Sequence, residues 1–271
     1  MTEQKKIDRT RDFIDLASLK GTGSITPPKI MIYGTPGSGK STFAARAKNV
    51  DKILFLDLEN GHSAIKKELG SRYNGAHISD FGTFHSVLNS LQARPHDYRF
   101  LVIDTVDWLE TIVHNEVCRK YGARSIYDGS NQMTNYNKGP GLAKKELDDI
   151  LAKLDLLITS RGICVILLAH AQISKSESLE DGIEKIYSIK TMDRLTSKLF
   201  TEWPDIIAFA KRPIVTDAMG KKNEQDPLLF FKSPIAAVKA RTLHALPESI
   251  PFTFDEFWKT YNEANSPKEG N

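Results

Sequence analysis

Short apolar runs alternate with stretches of helical spacing along the first two thirds of the chain. Residues 29–33, 52–57, 100–104 and 163–169 are nearly unbroken apolar segments, as expected for strands covered on both faces. Residues 75–79 form a weaker strand. Between them, 84–93, 107–121 and 142–160 carry apolar residues at helical intervals, most clearly Leu147, Ile150, Leu151, Leu154 and Leu157. A further helix starts at Thr42. Strand-helix alternation of this kind predicts an α/β fold, a mainly parallel sheet with helices on both faces.

The final third changes character. Residues 205–211, 228–232 and 237–243 read as strands joined by turn material, one turn spanning 217–223. Short connections imply antiparallel pairing, so the far edge of the sheet is expected to be antiparallel. Residues 254–261 form a last helix. At the front, Ile7, Phe13, Ile14, Leu16 and Leu19 give 8–19 an amphipathic pattern, followed by a linker at 21–28. The expected organisation is an N-terminal arm (1–28) that could serve oligomerisation, one main domain (29–264) and a polar, mobile tail (265–271).

Composition adds limits. With 271 residues, 40% hydrophobic and 26% charged, the chain can bury a substantial core. A net charge of +3 is mild, so partners must be sought in local patches. No apolar run approaches a membrane span, and the first residues lack an apolar leader, so no membrane partner is expected. Cys118 and Cys164 lack paired spacing and read as reduced thiols, in keeping with a cytoplasmic location.

The most informative segment follows the first strand: Gly34-Thr35-Pro36-Gly37-Ser38-Gly39-Lys40-Ser41, then Thr42. It matches the phosphate-binding pattern G-x-x-x-x-G-K-[ST] in the required strand–loop–helix setting. Gly34, Gly37 and Gly39 are expected to adopt positive φ and bring backbone N–H groups against phosphate oxygens. Lys40 supplies a cation for the outer phosphates. The Ser41 hydroxyl suits Mg²⁺, which keeps several waters and bridges phosphates. Thr42 opens the next helix, whose N–H groups and dipole favour an anion. The expected ligands are therefore ATP and Mg²⁺.

Three strand ends add acids and a polar group. Phe100-Leu101-Val102-Ile103-Asp104 places Asp104 at the C-terminal tip of a strand, the edge where open α/β sheets bind ligands. There it would hold Mg²⁺ through water, as companion to Ser41. Phe55-Leu56-Asp57-Leu58-Glu59 puts a second carboxylate, Glu59, just beyond the preceding strand. Leu168-Ala169-His170-Ala171-Gln172 offers His170, with Gln172 as the alternative, to touch a terminal phosphate.

These segments resemble the RecA group. Its F-I-D-A-E stretch is similar to residues 55–59 here and implies that Glu59 is the general base that orients and deprotonates water. RecA-like proteins carry a phosphate-sensing glutamine at this strand end, which His170 or Gln172 would match. Lys239-Ala240-Arg241 followed by Ile250-Pro251-Phe252 resembles the end of the RecA core, where a K-x-K pair reaches the ATP of a neighbouring subunit. By that resemblance Lys239 and Arg241 would act in trans as cations on the transition state, with Arg standing in for one Lys. Taken whole, residues 29–257 are similar to the small RecA-like ATPases of phages, the Sak-type single-strand annealing recombinases, whose P-loop family is placed under AAA domains. The resemblance implies an ATPase stimulated by DNA that assembles as a filament or ring on single-stranded DNA, in the cytoplasm of a bacterial host, with a single-strand-binding protein as a further candidate partner. A helicase-type motor on the same core and an ATP-gated scaffold or loader are the alternatives.

One segment suits DNA. Residues 119–145 hold Arg119, Lys120, Arg124, Lys138, Lys144 and Lys145 against Asp128 alone, 6 − 1 = +5, with Tyr121, Tyr127 and Tyr136 interleaved. Cations for a backbone and aromatics for bases are the general single-strand recipe, so Arg124, Tyr127, Tyr136 and Lys138 are the candidate contacts. A solvated loop fits the same composition. Residues 174–190 form either a second DNA loop or a hairpin, with a charge of 3 − 4 = −1.

Overall fold

The computed structural model describes residues 26–136, 138–178, 182–217 and 219–266. The amphipathic segment 8–19 and the tail from 267 onward lie outside the described residues.

The chain runs β1 (Lys29–Gly34), α1 (Lys40–Ala45), β2 (Ile53–Asp57), α2 (Ser63–Leu69), β3 (Gly75–His77), α3 (Phe81–Ala93), β4 (Phe100–Asp104), α4 (Val106–Tyr121), α5 (Lys138–Arg161) and β5 (Cys164–Ser178). It continues through β6 (Gly182–Ile189), α6 (Arg194–Glu202), β7 (Ile206–Lys211), β8 (Ile214–Thr216), β9 (Lys222–Glu224), β10 (Leu228–Phe230), β11 (Lys239–Ala240), β12 (Ser249–Pro251) and α7 (Phe254–Asn265). The main sheet has the order β12-β10-β7-β1-β5-β4-β2-β3, with β11 also on β7 and β6 on β5. From β7 through β1, β5, β4 and β2 to β3 all neighbours are parallel. β10 and β11 run antiparallel to β7, and β12 antiparallel to β10. This is the expected α/β arrangement, a mainly parallel sheet with helices on both faces and antiparallel late strands.

Period two within the strands divides the core. Met31, Tyr33, Leu101, Ile103, Val165 and Leu167 face one layer, where α3, α4, α5 and α6 contribute Phe84, Val113, Leu154 and Phe200. Ile30, Ile32, Phe55, Val102, Ile166 and Leu168 face the other, under Phe43 of α1, Ile65 of α2 and Phe257 of α7. Both faces of each central strand are covered, which is why these strands read as continuous apolar runs.

The late strands depart from the expectation in detail. β7 is itself parallel to β1, and only its later partners are antiparallel. The turn at 217–223 closes a small separate hairpin, β8–β9. β12 has no apolar run to announce it; it forms because Leu229 and Phe230 need a partner strand. β5 extends well beyond Ala169, because residues 171–178 pair with 182–189 as a hairpin. Within 174–190 the described residues 174–178 thus pair antiparallel with 182–186. Among the described residues no helix is long and apolar enough to cross a membrane.

Candidate nucleotide site

The register of four parallel strands brings the predicted residues together. Gly34 at the tip of β1 pairs with His170 on β5. Asp104 at the tip of β4 pairs with Leu168 on one side and with Asp57 of β2 on the other. The phosphate loop, Asp104, Glu59 and His170 therefore meet at one edge, the C-terminal edge of the parallel strands.

Gly37 and Gly39 take φ of 75° and 89°, as a loop that turns its N–H groups inward requires. Gly34 does not: it stays in the strand, and its glycine has another cause. A Cβ there would lie 2.3 Å from the carbonyl oxygen of Ala210 on β7. Close approach of two backbones, not positive φ, excludes a side chain. α1 is six residues long and begins at Lys40 itself. Lys40 is buried, and its ammonium donates to the carbonyls of Gly34 (3.1 Å) and Thr35 (3.2 Å). Burial pushes its pKa down, while Asp104, Glu59 and Asp107 push it back up.

The acids divide by burial. Asp57 is fully buried and accepts from the backbone N–H of Gly61 (3.0 Å) and of His62 (3.1 Å), so it builds the turn. Asn60, at φ 62°, completes it. Glu59 rides on that turn with 40% of its side chain exposed, free to act on a ligand. Asp104 is buried, and its Oδ2 accepts from Nε2 of His62 at 2.8 Å. Its Oδ1 is buried with no hydrogen-bond partner among the described residues, as are Ser38 Oγ and Thr105 Oγ1. Three orphaned oxygens at one edge are unusual, since buried polar atoms are nearly always partnered.

His170 is held by a residue the sequence reading passed over. Its Nδ1 lies 3.0 Å from Oδ2 of Asp107, in the first turn of α4, and its Nε2 points to Glu59 Oε2 at 3.7 Å. The Asp107 bond raises the pKa of His170. Burial works to raise Asp107, but His170 and Lys190 pull it down to about 2. Gln172, the alternative sensor, spends its amide on the carbonyl of Ile189 within the hairpin. Two more residues lacked a sequence signal: His62, and Arg212, whose guanidinium donates to the carbonyl of Gly37 at 3.3 Å. Both matter through contacts across the fold, at separations of 42 and 175 residues.

Lys239 donates to the carbonyls of Thr201 and Glu202 at the end of α6, within its own chain. Arg241 lies 3.6 Å from Asp205 and is largely exposed. The basic stretch 119–145 is less a loop than expected, because α4 runs to Tyr121 and α5 begins at Lys138. Arg119 pairs with Glu116, Lys120 with Glu146 and Lys144 with Asp148. Those acids are helix neighbours outside the +5 count, or just beyond its end. Arg124, Lys138 and Lys145 remain exposed. Tyr136 is 90% exposed, whereas Tyr127, 52% exposed, donates to Asp193 at 3.1 Å.

A phosphate loop on a central parallel strand, an acid-tipped strand two places away and a second carboxylate beside them define a P-loop nucleotide-binding core. Over residues 26–247 the chain matches the family model described as an AAA domain, and it belongs to that family. The family implies a bound nucleotide, commonly with Mg²⁺. A search of curated proteins gives no match. Among solved structures, the chain is similar to "Crystal structure of the RadB recombinase", with 15% identity and a TM-score of 0.41 over 77% of this chain and 82% of that one. Likeness at that level carries nothing about activity.

The donor set fits Mg²⁺. Among the described residues no three His, Cys, Asp or Glu side chains cluster into an all-protein cage. Ser41 offers a protein oxygen to the ion, and the unpartnered oxygen of Asp104 an acceptor for one of the waters that Mg²⁺ commonly keeps alongside phosphates.

Proposed function

We propose that the protein is a Mg²⁺-dependent ATPase that binds single-stranded DNA and promotes annealing or strand pairing, its nucleotide state setting its self-assembly. The convergence of Lys40, Asp104, Glu59 and His170 on one sheet edge carries this reading. Lys40 and the N–H groups of residues 37–42 bind the phosphates. A cleft of about 260 Å³ beside the loop, lined by Thr42, Phe43, Arg212 and Phe252, leaves room for the rest of the nucleotide. Mg²⁺, held by Ser41 and through water by Asp104, would neutralise phosphate charge. Glu59 orients the attacking water and takes its proton. His170, steadied by Asp107, stands beside Glu59 and touches the terminal phosphate. Because β5 runs on from His170 into the β5–β6 hairpin, loss of that phosphate is felt by a segment outside the site.

Arg124, Lys138, Tyr127 and Tyr136 are proposed to contact DNA. Lys239 and Arg241 are proposed to face a neighbouring subunit, a role for which Lys239 must first leave the end of α6. The ion pairing of Arg119, Lys120 and Lys144 favours a second reading, an ATP-gated scaffold with weak DNA affinity. ATP turnover with and without single-stranded DNA, in wild type and Lys40→Ala, tests the proposal. Turnover that DNA stimulates and the substitution abolishes is expected. Turnover untouched by Lys40→Ala would remove the assignment, and turnover indifferent to DNA would favour the scaffold.

A further inference from the structure

Asp104 makes its only side-chain hydrogen bond among the described residues with one atom, Nε2 of His62. His62 itself is 1% exposed. Its other ring nitrogen, Nδ1, lies 2.9 Å from the hydroxyl of Tyr73. Three groups from three elements thus form one line: Tyr73 before β3, His62 before α2, and Asp104 at the tip of β4.

For a carboxylate beside a neutral imidazole, the direction of each bond follows. An ionised carboxylate only accepts, so Nε2 carries the hydrogen that Asp104 Oδ2 receives. In a neutral ring Nδ1 is then an acceptor, and Tyr73 donates to it. Burial, with Asp57 and Asp104 adding to it, pushes the Tyr73 hydroxyl well above its ordinary pKa, so it keeps the proton it donates. Packing fixes the positions. The Tyr73 ring stacks on Phe55 with centroids 5.4 Å apart and planes 12° apart. His62 meets Phe55 edge-on, with centroids 5.8 Å apart. Lys66 caps the other side, 5.5 Å from the Tyr73 centroid and 3.7 Å from Asp57 Oδ2. Neither ring can turn without breaking this stack.

The effect on Asp104 is an asymmetry. Oδ2 is occupied by His62, while Oδ1 has no partner. A carboxylate with one oxygen pinned presents the other in a fixed direction, suited to accepting from a single water of a hydrated cation rather than to two-oxygen capture.

We infer that His62, with its ring state set by Tyr73, is a positioning residue that reserves one oxygen of Asp104 for the metal that accompanies the nucleotide. This rests on the nucleotide-site reading of the preceding subsection. His62 touches neither nucleotide nor metal; it acts through Asp104. Partners of this outer kind are worth about 10–100-fold in metal affinity.

The test titrates Mg²⁺ into protein holding a non-hydrolysable ATP analogue, and also measures analogue affinity in EDTA, for wild type, His62→Leu, His62→Gln and Tyr73→Phe. In His62→Leu, apparent Mg²⁺ affinity is expected to fall about 10–100-fold while analogue affinity in EDTA is unchanged. His62→Gln keeps an N–H donor at similar reach and is expected to restore most of the loss, which a merely structural role would not explain. Tyr73→Phe keeps the stack, removes only the hydroxyl, and is expected to weaken Mg²⁺ in the same direction. It carries the test if His62→Leu fails to fold. Wild-type Mg²⁺ dependence in His62→Leu, or in Tyr73→Phe, would overturn the inference and leave the nucleotide site standing. No analogue binding, or no Mg²⁺ dependence, in the wild type would overturn the site reading and this inference together.

Discussion

His170 and Asp107 are bonded across two elements, the imidazole Nδ1 of β5 lying 3.0 Å from the carboxylate Oδ2 of α4. Because Nδ1 is occupied, Nε2 is turned toward Glu59. The bond fixes which face of the histidine meets the site.

That bond raises the His170 pKa and, together with Lys190, lowers that of Asp107 to about 2. A raised histidine contributes stability that is full below its unfolded pKa, near 6.5, and is lost as pH rises through the folded value. A depressed aspartate contributes stability present above about 3.9 and lost as pH falls toward its folded value. Asp107→Asn should therefore lower the His170 midpoint in a ring-proton NMR titration. The stability gap to wild type should be widest between about pH 4 and 6.5. An unmoved midpoint would mean that the pair is incidental.

Gly34 should tolerate no side chain, since a Cβ would meet the Ala210 carbonyl at 2.3 Å. Gly34→Ala is expected to destabilise the protein by about 1–3 kcal/mol even without nucleotide, measured by urea unfolding. A Cβ at Gly37 meets nothing within 4 Å, but φ of 75° makes Gly37→Ala cost about 1–2 kcal/mol of local backbone strain, with the larger effect on nucleotide affinity. Equal effects on nucleotide affinity, with no loss of stability for Gly34→Ala, would contradict this division.

The DNA contacts separate by salt. Arg124→Ala and Lys138→Ala should weaken single-strand binding in all sequences and flatten the slope of log affinity against log salt by about 0.7 for each lost phosphate contact. Tyr136→Ala should cost about 1–3 kcal/mol with little change of slope. Tyr127→Ala should do the same, after accounting for its bond to Asp193 by melting temperature. Unchanged affinity in all four variants would exclude this surface and favour the scaffold reading.

How far the sequence could be read follows from where each signal lives. The phosphate loop, Asp104 and Glu59 sit at or just beyond the ends of buried strands, where an apolar run stops at a polar residue, so their meeting at one sheet edge was legible. The helices α4 and α5 were legible because one face of each is buried. β12 and the β8–β9 hairpin were not, because three-residue pairings on a sheet edge or in a separate hairpin need no apolar run. At Gly34 the local pattern points to positive φ, because a backbone contact with Ala210 leaves no trace in it. His62, Asp107 and Arg212 were missed for the same reason. Local counting also inflated the charge of 119–145, because Glu116, Glu146 and Asp148 reach back into it only once the helices are built.

The most direct measurement of the central claim is ATP turnover beside ATP binding in Glu59→Gln. The substitution keeps the shape and a hydrogen bond but removes the base. Binding in the presence of Mg²⁺ should persist at the wild-type level, while turnover should fall by about 10²–10⁴-fold, the usual contribution of general-base catalysis. Unchanged turnover with intact binding would contradict the account, and Glu59 would then be only a residue on the turn that Asp57 builds.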